Sequence, residues 1–101
     1  MELKVEHLEN KSILIIEKNF CVGSDASEIQ NTILDLIENG SRNIFADLSK
    51  LDFITSWGIG TLVYAHTTCK NKDVNFSLTG VNEKILSILK KTKLDTIFTI
   101  V

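Results

Sequence analysis

The chain has 101 residues, a hydrophobic content of 44% and a formal net charge of −2. That length supports one modest core and not two, so a single domain over residues 1–101 is expected. The charge offers no general attraction to nucleic acid or anionic membranes, and no apolar run approaches the roughly 20 residues that cross a bilayer.

The first segment alternates Leu3, Val5 and His7 with Lys4, Glu6 and Leu8, the period of a half-buried strand. Asn10-Lys11 reads as a two-residue turn into Ser12 to Glu17, where Ile13-Leu14-Ile15-Ile16 is apolar on both faces. We expect an antiparallel hairpin, with something covering the second face of its inner strand. After a loop from Asn19 to Gly23, Ser24 or Asp25 is suited to cap a helix, and Glu28 can reach back to it. Ala26, Ile29, Ile33, Leu36 and Ile37 form that helix's apolar stripe, and Gly40 suits the left-handed residue beyond its end.

The central stretch opens with the apolar strand Ile44-Phe45-Ala46, an acidic turn from Asp47 to Ser49, and an apolar knot of Leu51, Phe53 and Ile54. Thr55-Ser56 then precedes a helical run from Trp57 to Lys70, with Ser56 expected as its N-cap. Val74, Phe76 and Leu78 alternate with polar residues, as in a strand with one wet face. A last helix carries Val81, Ile85, Leu86, Ile88 and Leu89, and ends in Lys90, Lys91 and Lys93, a solvated end that complements the helix dipole. Thr96 to Val101 reads as the closing strand. The order β-β-α-β-α-β-α-β predicts an α/β fold with a mostly parallel, mixed sheet and helices packed mainly on one face.

Catalysis has no strong candidate. Gly58-Ile59-Gly60 lacks the third glycine and the strand context of a dinucleotide fingerprint, so both glycines are read as allowing a tight loop-to-helix entry and close packing of helix on sheet. His66 shares a stripe with Ile59 and Leu62 and is expected to be a hydrogen-bonded histidine at the core edge. Cys21 and Cys69 are far apart and read as buried free thiols. Asp47 and Asp52 are explained by turn chemistry. No metal site or cofactor is indicated. Ser56 and Trp57 differ, because a hydroxyl beside an outward-facing indole at a helix start can anchor a protein partner.

These residues also carry a resemblance. The run Ile44-Phe45-Ala46-Asp47-Leu48-Ser49 through Phe53-Ile54-Thr55-Ser56-Trp57-Gly58-Ile59-Gly60 resembles the signature of the STAS domain of bacterial anti-sigma-factor antagonists. Leu94-Asp95-Thr96-Ile97-Phe98 is similar to that family's closing motif. The resemblance implies a cytoplasmic, non-enzymatic regulator of transcription, made as one STAS-like domain. Its partner would be a serine-kinase anti-sigma factor, to which ATP and magnesium belong, and a phosphatase would reverse the modification. Ser56 matches the phosphorylated serine, with Thr55 as a second possible acceptor. Thr55, Ser56, Trp57, Gly58 and Ile59 form the implied partner-binding segment. Neither nucleic acid nor membrane insertion is implied.

The chain departs from the family pattern where Thr55 replaces an aspartate, Trp57 a small residue and Lys93 a glycine. Asn19-Phe20-Cys21-Val22 stands where the family carries Gly-x-Leu-Asp, and the family's usual final helix is expected to be missing or reduced to nothing. An alternative is therefore a constitutive STAS scaffold or adaptor in a signalling or transport assembly, never phosphorylated.

Overall fold

The computed structural model describes residues 3–17 and 23–101. Its elements follow the expected order: β1 (Leu3–Leu8), β2 (Lys11–Ile16), α1 (Gly23–Glu38), β3 (Asn43–Asp47), α2 (Ser56–Asn71), β4 (Asn75–Thr79), α3 (Glu83–Lys91) and β5 (Thr99–Ile100). A single 3-10 turn, Leu94–Thr96, lies between α3 and β5. The closing strand is thus shorter than the sequence suggested. Thr96 and Ile97 bend back instead, through amides bonded to the carbonyls of Lys93 and Leu94.

The five strands lie side by side in chain order. β1 and β2 form the antiparallel hairpin, with Leu8 opposite Lys11, so Glu9-Asn10 is the turn, one residue earlier than expected. The pairs β2–β3, β3–β4 and β4–β5 are all parallel. Each crossover therefore steps one strand in the same direction. Right-handed connections then place all three helices on one face.

Burial follows from that arrangement. Leu14, Ile16, Ile44, Ala46, Phe76 and Leu78 point from the sheet into the core. Ile29 and Ile33 of α1, Leu62, Ala65 and Cys69 of α2, and Ile85 and Leu89 of α3 meet them there. The α1 stripe is as read, with Ile37 partly buried at its end and Gly40 at φ +94. The expected cap at Ser24 or Asp25 and the loop containing Cys21 lie outside the described residues and side chains.

No helix covers the second face among the described residues. Ile13, Ile15 and Phe45 there are half-buried. The Lys11 ammonium lies 5.0 Å from the Phe45 ring centre, and Lys4 pairs with Glu17 at 3.3 Å. Long charged side chains shade the apolar patch with their stems while their heads stay in water. The expectation of a covering element is not met within the described chain. Nor is any described helix long and apolar enough to cross a membrane.

Candidate functional site

The site begins where β3 ends. The Asp47 carboxylate accepts the Ser49 amide at 2.8 Å, which tightens the turn, and the Leu48 amide donates to Thr79 at 2.9 Å, extending the β3–β4 ladder. Leu48, Leu51 and Ile54 are buried and pin the loop, whereas Phe53 is 46% exposed. A three-residue apolar knot cannot all turn inward in so short a connection. The sequence alone does not reveal which member stays out.

Two residues of the neighbouring β4–α3 turn, neither marked by the sequence reading, hold this loop. Gly80 has φ +67, and a Cβ there would meet Ser49 Cβ at 2.7 Å and Ser49 N at 2.9 Å. Only glycine permits that approach. Asn82 caps α3 by accepting the Ile85 amide at 2.9 Å, and its side-chain amide donates to the Leu51 carbonyl at 2.8 Å. The capping asparagine therefore fastens α3 to the segment that leads into α2. The signal was present in the sequence as Gly80 and an Asn before an apolar helix.

The cap of α2 is Thr55 and not Ser56. Thr55 is extended (φ −96, ψ 172), its Oγ1 accepts the Gly58 amide at 3.2 Å and its carbonyl accepts the Ile59 amide at 2.9 Å. Both hydroxyl types cap helices, and a β-branched residue favours the extended conformation a cap requires. Ser56 is consequently the first helical residue, exposed and relieved of a capping role.

Trp57 is 57% exposed, as a first-turn position allows. Tyr64, seven residues on and so near the same helical face, is 47% exposed. The outward-facing Trp57 is as the sequence suggested, whereas the exposure of Tyr64 is not marked there. Gly58 is buried, and Ile59 packs partly against the core. Of the five segment residues, Ser56 and Trp57 are exposed and Thr55 is half-buried.

Gly60 corrects the reading of both glycines as packing positions, because a Cβ there would meet nothing within 4 Å. It lies instead in the floor of a shallow groove of about 330 Å³, bounded by Ala26 and Gln30 of α1 and by Ser56, Trp57 and Thr61 of α2. The Thr61 hydroxyl donates to the Trp57 carbonyl at 2.7 Å. The groove wall is mainly apolar, and the first turn of α2 carries no acidic residue. A negative group at Ser56 would thus meet the positive end of the helix dipole without a carboxylate of that turn opposing it.

The remaining candidates stay apart from this site. Among the described residues, no three His, Cys, Asp or Glu side chains come together as a metal site would require. Cys69 is buried, and burial pushes its thiol up to about 11. The hydrogen bond expected of His66 is not found at its buried Nδ1. The ring stands edge-on to Phe98 instead, with centroids 5.7 Å apart and planes at 81°. A separate concavity of about 570 Å³ includes His66 but opens at the N-terminal ends of β3 and β4, opposite the end bearing Ser56.

With this geometry in view, comparison with known proteins is decisive for the family. The sequence model of the STAS domain matches residues 2–101. The chain belongs to the STAS domain family. Its fold is similar to a Thermotoga maritima protein assigned as an anti-sigma factor antagonist, at 25% identity and a TM-score of 0.86, covering 97% of this chain and 84% of that one. The phosphorylated form of the Bacillus cell-fate determinant SpoIIAA, an anti-sigma factor antagonist, aligns over 99% of this chain and 91% of its own at 13% identity and a TM-score of 0.74. A sulfate transporter family protein from Wolinella succinogenes aligns over 89% of this chain and 72% of its own at 17% identity and a TM-score of 0.77. The last two likenesses speak for the STAS fold alone.

Proposed function

We propose that this STAS domain is an anti-sigma-factor antagonist that binds a serine-kinase anti-sigma factor and is switched by phosphorylation of Ser56. The reading makes it a cytoplasmic binding module without catalysis of its own. ATP and magnesium belong to the kinase, and a phosphatase resets the switch. The observation that carries it is the exposed Ser56 hydroxyl at the head of α2, beside an exposed Trp57 and an apolar groove.

Physical chemistry supports the switch. Phosphorylation adds about −1.5 to −2 charge and three strong acceptors. At the first helical position that charge gains about 0.3–1 kcal/mol from the dipole, so the fold accepts it. Against a partner that covers Trp57 and the groove, the same charge must be desolvated, and a partner offering no cation is expelled. Thr55 is a poorer acceptor than Ser56, because its hydroxyl is half-buried and engaged as the cap.

Incubation with the cognate kinase and ATP, followed by phosphosite mapping, tests the proposal. Phosphate is expected on Ser56. Label on neither Ser56 nor Thr55 would remove the switch. Ser56→Asp should weaken partner binding with little change in thermal stability, whereas Ser56→Ala should bind and resist switching. Full-strength binding by Ser56→Asp would refute expulsion by charge.

A second reading, a constitutive scaffold, draws on the likeness to the transporter-family domain and on Thr55 standing where an acid usually precedes the acceptor. Trp57 would then be a permanent anchor. Recovery from native cells of a membrane-bound or multi-protein assembly without a kinase would favour this reading over the first.

A further inference from the structure

We propose that β1 is a pairing edge for a second copy of this chain, forming a two-fold dimer whose sheet runs continuously through ten strands. This inference rests on the far edge of the sheet and is independent of the reading of Ser56.

Among the described residues, β1 has a neighbour only on its β2 side. Its register against β2 is unbroken from Leu3 to Leu8, with no bulge and no proline. Such an edge presents a row of backbone donors and acceptors to any strand that fits. The opposite edge, β5, is only two residues long and offers much less.

The β1 side chains specify which strand fits. Lys4, Glu6 and Leu8 lie on the open face of the sheet, and Leu3, Val5 and His7 lie on the helix-covered face. In a two-fold antiparallel pair that keeps both faces continuous, opposed residues must come from the same face, because a one-residue slip inverts every side chain. Few registers remain. Centring on Lys4 sets lysine against lysine, and centring on Glu6 sets glutamate against glutamate. Centring on Val5 places each Lys4 opposite the other copy's Glu6, twice over, with Val5 against Val5 and Leu3 against His7.

Opposite charges directly across a strand pair stabilise it, and like charges there destabilise it. Charge therefore selects the Val5-centred register against both of its face-preserving neighbours. Leu3 and Val5 already pack partly against the core, so their meeting with the second copy would extend the apolar layer beneath the helices. Lys4 is 72% exposed while paired with Glu17, which leaves its ammonium free to swing between Glu17 and a second carboxylate. The α2 site packs against α1 and β4, so the edge of β1 is available while Ser56 is occupied.

Sedimentation equilibrium over a wide concentration range tests the dimer, with circular dichroism as a check on folding. The wild-type chain is expected to pass from monomer to dimer as concentration rises. Glu6→Lys brings a like charge opposite the other copy's Lys4 and should weaken dimerisation about tenfold or more. The double variant Lys4→Glu/Glu6→Lys restores opposite charges across the same register and should recover the dimer. A wild-type chain monomeric into the millimolar range would overturn the proposal. So would a dimer indifferent to Glu6→Lys, or a charge swap that fails to restore it. A dimer that survives Glu6→Lys but is lost in Ile15→Lys would move the interface to the open sheet face and refute edge pairing.

Discussion

Thr55 Oγ1 accepts the Gly58 amide at 3.2 Å, and this bond separates two hydroxyls that are adjacent in sequence. One is structural, and the other is left on display. Thr55→Ala should lower stability by about 1 kcal/mol, the usual cost of a lost N-cap. Ser56→Ala should stay within about 0.5 kcal/mol, as surface changes do. Thr55→Asp keeps an acceptor for Gly58 and adds a charge favoured by the dipole, so it should hold stability level or raise it by about 0.3–1 kcal/mol. Urea unfolding of the three variants measures this directly. Equal losses from Thr55→Ala and Ser56→Ala would return the cap to Ser56.

Gly60 and Gly80 should respond to alanine in opposite directions. Gly60 is within α2, and the new methyl would meet nothing, so Gly60→Ala should stabilise the fold by about 0.5–1 kcal/mol through helix propensity. Gly80 has φ +67 and Ser49 Cβ 2.7 Å from the site of a Cβ. Its alanine variant should lose about 1–2 kcal/mol to backbone strain and about 1–3 kcal/mol more to overpacking. Thermal melts of both variants test the contrast. A Gly80→Ala protein as stable as wild type would mean that the β4–α3 turn does not clamp the Asp47–Ser49 turn.

The strand and helix order was legible because the apolar period changes cleanly, from two in Leu3–Val5–His7 and Val74–Phe76–Leu78 to helical in Ala26–Ile29–Ile33–Leu36. The family was legible in the segment around Ser56 and in the closing run 94–98, and the match over residues 2–101 agrees with both. What escaped depended on contacts between segments distant in sequence. Asn82 reaches Leu51 across 31 residues, and Gly80 approaches Ser49 across as many. The cap moved by one residue because Thr and Ser are chemically equivalent acceptors, and only backbone geometry distinguishes them. The groove was invisible for a like reason. Ala26 and Gln30 join it only once α1 is laid beside α2.

Lys93 sits at φ 60 and ψ 18, in the left-handed region, at the N-terminal boundary of the Leu94–Thr96 turn. A residue with a Cβ loses about 1–2 kcal/mol there, part of which glycine forfeits through its larger unfolded-state entropy. Lys93→Gly should therefore stabilise the protein by about 0.5–1 kcal/mol, an upward shift of a few degrees for a domain this small. Asp73, at φ 58, provides an internal comparison, since aspartate tolerates this region better than lysine does. Asp73→Gly should gain less. A larger gain at Asp73 than at Lys93 would contradict the backbone argument.

Cys69 should make the stability of the fold fall in alkali. Burial raises its thiol from 9.0 to about 11, so above pH 9 the unfolded chain releases a proton that the folded chain retains. The thiol's contribution is complete below pH 9 and is lost as the pH rises towards 11, because the unfolded state then binds fewer protons than the native one. Cys69→Ala leaves a small cavity and should be less stable below pH 9, yet its stability should decline less steeply over that interval. Urea midpoints for both proteins across the interval isolate the thiol from lysine and tyrosine titration, which the two share. Alkylation mapped to Cys69 should likewise be slow in the native protein and fast in urea, since only the thiolate reacts. Parallel stability curves would show that the thiol ionises equally in both states, and that the solvent reaches it in the fold.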